Sequence, residues 1–203
     1  MRFPPATHLV VGFEHRDDAE RFWDDLRERF ARFGLELHEG KTRLIEFGRF
    51  AAQDRACRGL SKPETFDFLG LTHICDRAWR TGRFKLRRVT SKKRLRAKLR
   101  TAKTELMQRR HEPVPEQGVW LAKVLQGHAN YYAVPDNLEA VAAFRHGLAR
   151  HWHRALRRRS QRSSLTWERM RRLEARWLPP VRVLHPWPGA RFDARTQGRS
   201  PVS

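Results

Sequence analysis

The sequence has few cysteines and no long apolar segment. Among its 203 residues there are two cysteines, Cys57 and Cys75, too few for a zinc site with four cysteine ligands or for a disulfide framework. Apolar runs do not exceed five residues, as in Leu9 to Phe13, whereas a membrane-spanning helix needs about 20. No secretory leader is recognisable. We therefore expect a cytoplasmic protein that makes no membrane contact.

Motifs for catalysis are also lacking. There is no Gly-rich phosphate loop and no nucleophile motif. Adjacent carboxylates occur at Asp17-Asp18 and Asp24-Asp25, but neighbouring residues on a helix point about 100° apart, so neither pair converges on a metal ion. The ten histidines are scattered without a Cys/His cluster. The sequence thus predicts no catalytic residue, no metal site and no cofactor for this chain alone.

The charge of the chain is unevenly distributed. Lys and Arg number 43 against 22 Asp and Glu, for a formal net charge of +21. Residues 1–80 carry 14 of each sign, whereas residues 81–203 carry 29 basic and 8 acidic residues. Seven Trp and twelve Phe argue against a disordered basic tail. This asymmetry predicts a neutral module followed by one that binds a polyanion, namely nucleic acid.

The neutral module is predicted to begin with a strand and a helix. Leu9 to Phe13 is a short β-branched and aromatic run that suits a buried strand. Apolar residues then recur at helical spacing, with Asp17 as the expected N-cap and Gly34 as the expected end. Antiparallel strands are predicted to follow. Segments 35–37 and 44–47 would form a hairpin around a turn at 39–41.

Later in the neutral module, the sequence predicts the ends of two strands on either side of a turn. A polar loop with Gly59, Ser61 and Pro63 leads to an apolar segment at 66–71. Segment 79–84 carries a Thr-Gly pair that suits the turn of a hairpin.

The basic module is predicted to be a helical bundle. Four helices are expected to begin at Ser91, around Pro115, near Asp136-Asn137 and after the cap Thr166. The leucine and aromatic stripes of these helices are interpreted as core. In the first helix, seven basic residues would repel one another unless a polyanion lies against them. They are Lys92, Lys93, Arg94, Arg96, Lys98, Arg100 and Lys103.

The order of these segments resembles that of bacterial group II intron reverse transcriptases. The segments similar to the back half of the palm are residues 9–13 with the following helix, 34–42 and 66–70. Those similar to the thumb and the maturase-specific domain are 127–137, 157–162, 166–167 and 184–188. The similarity extends over nearly the whole chain from Leu9 onward.

The resemblance implies an α+β fold with three parts. Residues 1–88 would be a partial reverse-transcriptase palm, residues 89–188 an all-α basic thumb and maturase bundle, and residues 189–203 a basic tail. Within the palm, the resemblance places Lys41 and Thr42 in a palm-motif turn. It places Phe68, Leu69 and Gly70 in a hairpin that grips the primer strand.

The resemblance also implies the partners, structured group II intron RNA and possibly an RNA/DNA duplex. His128 has an alternative interpretation as a polar residue that lines a helix interface. The residues expected to bind nucleic acid are Lys92, Lys93, Arg94, Arg96, Arg100, His128, Tyr131, Tyr132, Arg157, Arg158, Arg159 and Arg162.

One departure from the family concerns the catalytic carboxylates. The family carries a Tyr-Ala-Asp-Asp motif directly before the Val-Val-Gly strand, because two adjacent aspartates hold the metal ions of the reaction. Here Thr7 and His8 stand in that place, and Thr lacks the charge that Mg²⁺ requires. We therefore expect a 5'-truncated enzyme that cannot polymerise alone and uses Mg²⁺ only when a catalytic palm completes it.

Three functions are consistent with these features. The first is a maturase-type fragment that binds intron RNA through its basic region. The second is one half of a split RNA-directed DNA polymerase, active with a separate chain that supplies fingers and palm. The third is the product of a decayed gene that folds poorly and has no function.

Overall fold

The computed structural model describes residues 9–38, 40–159 and 165–187, and within them it has an α+β architecture. The three strands form an antiparallel sheet of order β1–β2–β3. The predicted class is thus confirmed. In chain order the elements are α1 (Arg16–Arg32), α2 (Ala51–Cys57), β1 (Phe66–Phe68), β2 (Leu71–Arg77), β3 (Phe84–Thr90), α3 (Lys92–Gln108), α4 (Val114–Tyr132), α5 (Leu138–Arg157) and α6 (Trp167–Trp177).

Tertiary contacts divide the chain into two compact units. The first unit comprises the residues up to 69 together with 73–86, and the second comprises 70–72 together with the residues from 87 onward. The predicted basic tail, 189–203, lies outside the described residues.

The first unit buries little apolar surface. Its fully buried hydrophobic residues, among those that are described, are Ala19 and Ala51. Helix α1 begins at Arg16 with His15 in the N-cap position, so the prediction of Asp17 as the cap is wrong. Asp17 instead lies in the first turn, where a carboxylate interacts favourably with the helix dipole. Gly34 follows the helix with a φ of 65°, and the predicted end is confirmed.

Two strand predictions for the first unit are wrong. Leu9 to Phe13 is an irregular segment, and Leu9 is 64% exposed. Segments 35–37 and 44–47 form no hairpin, although His38 accepts hydrogen bonds from the backbone of Lys41 and Thr42 in a turn. The physical reason is the same in both places. A strand needs the backbone of a neighbouring strand as its partner, and among the described residues the sheet contains only β1, β2 and β3.

Helix α2 was not anticipated, because its seven residues include one buried alanine and show no apolar stripe. The apolar segment at 66–71 contains a two-residue turn between β1 and β2. Leu69 and Gly70 have φ values of 50° and 81°, and positive φ at both central residues is what a type I′ hairpin turn requires. The Thr81-Gly82 turn is confirmed, since Gly82 donates to the carbonyl of Ala78 at 2.8 Å.

All four helices predicted for the basic module are present. Ser91, Asn137 and Thr166 are the N-cap residues of α3, α5 and α6, and Pro115 lies in the first turn of α4. The Thr166 hydroxyl accepts a hydrogen bond from the backbone nitrogen of Arg169 at 3.4 Å. These helices share one hydrophobic core. Its largest fully buried side chains are Trp152, Phe144, Leu106, Leu121, Leu148, Met170 and Leu178.

A buried amide connects this core to the loop between α3 and α4. Gln117 is fully buried, and its Oε1 accepts a hydrogen bond from the indole nitrogen of Trp152 at 2.9 Å. Its Nε2 lies within 2.9 to 3.2 Å of the carbonyl oxygens of Arg109, Arg110 and Glu112. One side chain therefore satisfies both the indole in the core and the carbonyls at the end of α3.

We predict that Gln117→Ala lowers the free energy of unfolding by about 3 kcal/mol, because it leaves the buried indole N–H of Trp152 without a partner and removes the hydrogen bonds to the half-buried carbonyls that follow α3. Urea denaturation followed by circular dichroism measures this. Gln126→Ala on the same helix is the control, since Gln126 is exposed, and it should change the stability by less than about 0.5 kcal/mol. Equal effects of both changes would contradict the role given to Gln117.

Candidate nucleic-acid interface

The candidate site is built around α3, which has one apolar side. Leu95 and Leu99 are half-buried, and Ala102 and Leu106 are buried. Most of its other residues are exposed, and seven of them are basic. Within the described part of the chain, no carboxylate forms an ion pair with any of its seven cations, which are Lys92, Lys93, Arg94, Arg96, Lys98, Arg100 and Lys103.

The cations of α3 form two stripes that flank the apolar side. Lys92, Arg96 and Arg100 follow one another at four-residue intervals and, with Lys103, form the first stripe. Arg94 and Lys98 lie on the other flank, again four residues apart, because residues at that spacing share a face. From residue 92 to residue 103 the helix rises by roughly 16 Å. Positive charge therefore extends along α3 from its first residue to Lys103.

Asn137 fixes the beginning of α3. Its Oδ1 accepts from the backbone nitrogen of Thr90 at 2.8 Å, and its Nδ2 donates to the Thr90 hydroxyl at 2.8 Å and to the carbonyl of Tyr132 at 2.7 Å. Asn137 is 1% exposed. This amide joins the segment that leads into α3 to the end of α4 and the start of α5.

Close packing on α5 fixes the middle of α3. A Cβ atom at Gly147 would lie 2.7 Å from a methyl carbon of Leu99, so a larger residue would force either the Leu99 side chain or α3 to shift. Farther along, burial lowers the pKa of His151, and the nearby cations Arg154, Lys103 and Arg150 lower it further. Lys103 of α3 therefore lies near the basic residues of α5. The sequence analysis did not include the basic residues Arg150 and Arg154 of α5 in the site. Their spacing could have indicated them, because Arg150, Arg154 and Arg157 share one helical face.

An aromatic cluster lies at the end of α4. The ring centroids of Tyr131 and Tyr132 are 4.7 Å apart at a steep angle, and Tyr132 lies 4.6 Å from His128. His128 in turn stacks on Phe144 at 3.9 Å. Tyr131 is 48% exposed. Burial and Tyr131 raise the pKa of Tyr132, and Arg94 opposes them, which places Arg94 of α3 beside this cluster.

His128 lies in the helix interface. It is 5% exposed, and its Nε2 is buried without a hydrogen-bond partner among the described residues. Burial, with a smaller contribution from Lys98, lowers its pKa to about 4. The imidazole is therefore neutral at pH 7. In this position it supports the tyrosines and does not offer a charged surface to nucleic acid.

The hairpin predicted to grip a primer has one close contact within the second unit. A Cβ atom at Gly70 would lie 2.6 Å from the hydroxyl oxygen of Tyr132, so both the positive φ and the space require glycine here. The backbone carbonyl of Gly70 accepts from the nitrogen of Ser91 at 3.0 Å. In the first unit, Phe68 is half-buried and Leu69 is 59% exposed.

The three consecutive arginines at and just after the end of α5 have different surroundings. Arg157 and Arg158 are exposed. Arg159 donates a hydrogen bond to the backbone carbonyl of Glu112, so its guanidinium stabilises the loop before α4. Arg162 lies outside the described residues.

The predicted palm-motif turn is present as a turn. Thr42 donates from its backbone nitrogen at 3.0 Å and from its hydroxyl at 3.1 Å to the carbonyl of His38. Lys41 is exposed. In the part of the chain that the structure describes, no three His, Cys, Asp or Glu side chains are grouped to hold a metal ion. Thr7 and His8 lie outside that part.

Among the same residues, no helix has the length and apolarity needed to cross a membrane. Comparisons with protein-family models, with curated proteins and with solved structures give no match to this chain.

We predict that the protein loses stability as the pH falls from 7 to 5. The unfolded chain protonates His128 below about pH 6.5, whereas the folded chain does so only near its pKa of about 4. Unfolding therefore takes up a proton in this window, at a cost to stability of about 1–2 kcal/mol when partial solvent screening is allowed for. Urea denaturation at a series of pH values measures how the free energy of unfolding changes with pH.

In the variant His128→Gln, the free energy of unfolding should change less between pH 7 and pH 5 than in the unsubstituted protein. The control is His146→Gln, since His146 is exposed on α5. If the His146 variant, and not the His128 variant, removed the slope, the assignment to His128 would be wrong.

Proposed function

We propose that the second unit binds structured RNA through the exposed cations of α3. The observation that carries this proposal is the run of seven cations on one helix with no carboxylate partner among the described residues. Like charges at such spacing destabilise a helix. A row of phosphates lying against them removes that repulsion and releases counterions, which favours binding.

The aromatic cluster suits RNA better than a featureless polyanion. Tyr131 is half exposed and is held edge-on by Tyr132, while Arg94 lies near Tyr132. Single-stranded loops and ends of RNA bind by stacking their bases on such rings. His128 contributes by supporting Tyr132 from within the helix interface. Phosphates on α3 would thus provide affinity, and an unpaired base on Tyr131 would provide preference for RNA with loops.

The resemblance to group II intron reverse transcriptases suggests which RNA the chain would bind and in what role. By that resemblance, α3 belongs to a thumb, and α4 to α6 belong to a maturase-specific region that holds intron RNA. The chain would act as an RNA-binding fragment without polymerase activity of its own. Mg²⁺ would enter only with a catalytic palm from elsewhere.

We predict a strongly salt-dependent affinity for structured RNA. In filter binding, the logarithm of the association constant should fall with the logarithm of salt concentration with a slope of several units, because each neutralised phosphate contributes about 0.7 to 0.9. The triple variant Lys92→Gln/Arg96→Gln/Arg100→Gln removes three such contacts. It should reduce the slope by about 2 to 3.

The matched control removes three charges from the first unit. Arg27, Arg29 and Arg49 are exposed, and the variant Arg27→Gln/Arg29→Gln/Arg49→Gln has the same net charge as the α3 variant. It should keep nearly the full slope. If both variants reduced the slope equally, total charge and not the α3 surface would govern binding.

A second candidate function has separate support in the first unit. Apart from Ala19 and Ala51, its described hydrophobic residues are not fully buried, and the run that begins at Leu9 is exposed. Such a surface lowers its free energy when another chain covers it. This favours the alternative in which a separate chain that supplies fingers and palm completes a polymerase.

We predict for this alternative that primer extension appears when the chain is mixed with a reverse-transcriptase fragment that ends in the Asp-Asp strand, and that neither alone extends the primer. Leu9→Asp/Val11→Asp should abolish the activity of the mixture, because it places charges in the covered surface. The control, Arg27→Gln/Arg29→Gln, should retain it. No extension by the mixture would rule out this alternative for that fragment.

A further inference from the structure

Helix α5 carries a row of exposed arginines. Arg150, Arg154 and Arg157 follow one another at spacings of four and three residues, so they share one face of the helix. All three are exposed. Within the described part of the chain, no carboxylate forms an ion pair with any of them. This row therefore resembles the cations of α3 in having charge without a partner.

Helices α3 and α5 run side by side in the same direction. Asn137, which precedes α5, is hydrogen-bonded at 2.8 Å to Thr90, which precedes α3. About one-half of the way along both helices, Gly147 of α5 lies against Leu99 of α3. The two helices therefore advance together, and each residue of α5 lies level with the α3 residue about 48 positions before it in the chain.

The arginines of α5 lie on the solvent side of the line of contact with α3. On α5 this contact is at positions 147 and 151. Because successive residues turn by about 100°, the three arginines lie about 40–100° from the mean direction of those positions, all on one side. Leu148 and Trp152, which are fully buried, lie about 80–120° from it on the other side.

The first stripe of α3 has the matching arrangement. The contact with α5 is at Leu99. Arg96, Arg100 and Lys103 lie about 40–100° from that direction on one side. Ala102, which is buried, lies about 60° from it on the other side. In each helix the core and the cations are thus on opposite sides of the contact, so both sets of cations lie on the same solvent-facing side of the helix pair.

The two helices together form one basic surface, which we call the α3–α5 surface. It passes from one helix to the other near His151, whose pKa is lowered by Lys103, Arg150 and Arg154. The arginines of α5 are level with or beyond the last cation of α3, so the surface is roughly 25 Å long, against roughly 16 Å for α3 alone. Glu139 is on the same side of α5 but lies in its first turn, roughly 16 Å before Arg150. The cations of the α3–α5 surface are Lys92, Arg96, Arg100, Lys103, Arg150, Arg154 and Arg157.

The α3–α5 surface suits a double-stranded stem better than an unpaired strand. Unpaired strands bind by stacking their bases on aromatic rings as well as by phosphate contacts. Helix α3 contains no Phe, Tyr or Trp, and those of α5, Phe144 and Trp152, are fully buried. Double-stranded RNA is instead recognised by its shape and through its phosphates and 2′-hydroxyls. Rows of cations on two helices whose axes are about 8–10 Å apart offer such contacts.

We propose that one double-stranded RNA stem lies across α3 and α5, with its phosphates in contact with Arg150, Arg154 and Arg157 as well as with the first stripe of α3. This inference rests on the proposed RNA binding and extends that site to a second helix. Arginine suits the role, because its guanidinium group contacts phosphate oxygens in pairs. The three arginines of α5 then contribute as much to the salt dependence of binding as three cations of α3.

Filter binding of an RNA hairpin with a fully paired stem tests this proposal. The variant Arg150→Gln/Arg154→Gln/Arg157→Gln should lower the slope of the logarithm of the association constant against the logarithm of salt concentration by about 2 to 3. At physiological salt it should bind the stem at least roughly tenfold more weakly. With the unsubstituted protein, a titration at high concentration should saturate at one stem for each protein molecule.

Two matched variants separate charge on α5 from other effects. Arg150→Lys/Arg154→Lys/Arg157→Lys keeps the charges and should keep nearly the full slope. Arg27→Gln/Arg29→Gln/Arg49→Gln has the same net charge as the α5 glutamine variant and should bind the stem nearly as tightly as the unsubstituted protein. Circular dichroism checks that each variant is folded. If the triple glutamine variant is not, Arg150→Gln and Arg154→Gln singly should each lower the slope by about 0.7 to 0.9.

The outcomes also separate failure of this inference from failure of the proposed function. If the α5 variant kept the full slope while Lys92→Gln/Arg96→Gln/Arg100→Gln lost it, the extension to α5 would be wrong and RNA binding by α3 would stand. Saturation at two stems, or equally tight binding of an unpaired RNA of the same length, would overturn the single double-stranded stem. If the unsubstituted protein bound neither RNA, the proposed function itself would be wrong.

Discussion

The amide of Asn137 is the interaction on which the geometry of the second unit depends. Its three hydrogen bonds, to the backbone nitrogen and the hydroxyl of Thr90 and to the carbonyl of Tyr132, join the entry of α3 to the connection between α4 and α5. Because the residue is almost fully buried, no water competes for these bonds, and an unpaired amide there would be costly. The amide therefore fixes where α3 begins, and the helix carries its cations along a defined line from that point.

A second buried amide fixes the opposite end of α3. Gln117 accepts from Trp152 and donates to the carbonyls that follow the helix, so α3 is held at both ends by neutral polar groups. Between them, Leu99 packs against Gly147. None of these restraints uses the basic side chains, which remain exposed. The protein thus separates the groups that maintain its fold from the groups that we propose bind RNA.

Much of the second unit was predictable from sequence, and much of the first was not. Helices are encoded locally, so the caps Ser91, Asn137 and Thr166 and the apolar periodicity identified α3, α5 and α6. Strands need partners distant in sequence, and the apolar run beginning at Leu9 looked like a strand but has none among the described residues. Similarly, His128 is conspicuous beside two tyrosines, yet its stack on Phe144 depends on how α4 and α5 pack.

The sequence by itself determined that the excess of positive charge lies in the second part of the chain and that α3 carries seven cations and no acidic residue between positions 92 and 103. Both follow from residue type and helical period, which are local properties. Only the tertiary structure decided that α5 packs against both α3 and α6, because contacts such as Leu99 with Gly147 and Arg145 with Glu174 join residues far apart in the chain. Those contacts also bring Lys103 of α3 near Arg150 and Arg154 of α5, which the helical period of either helix alone does not determine.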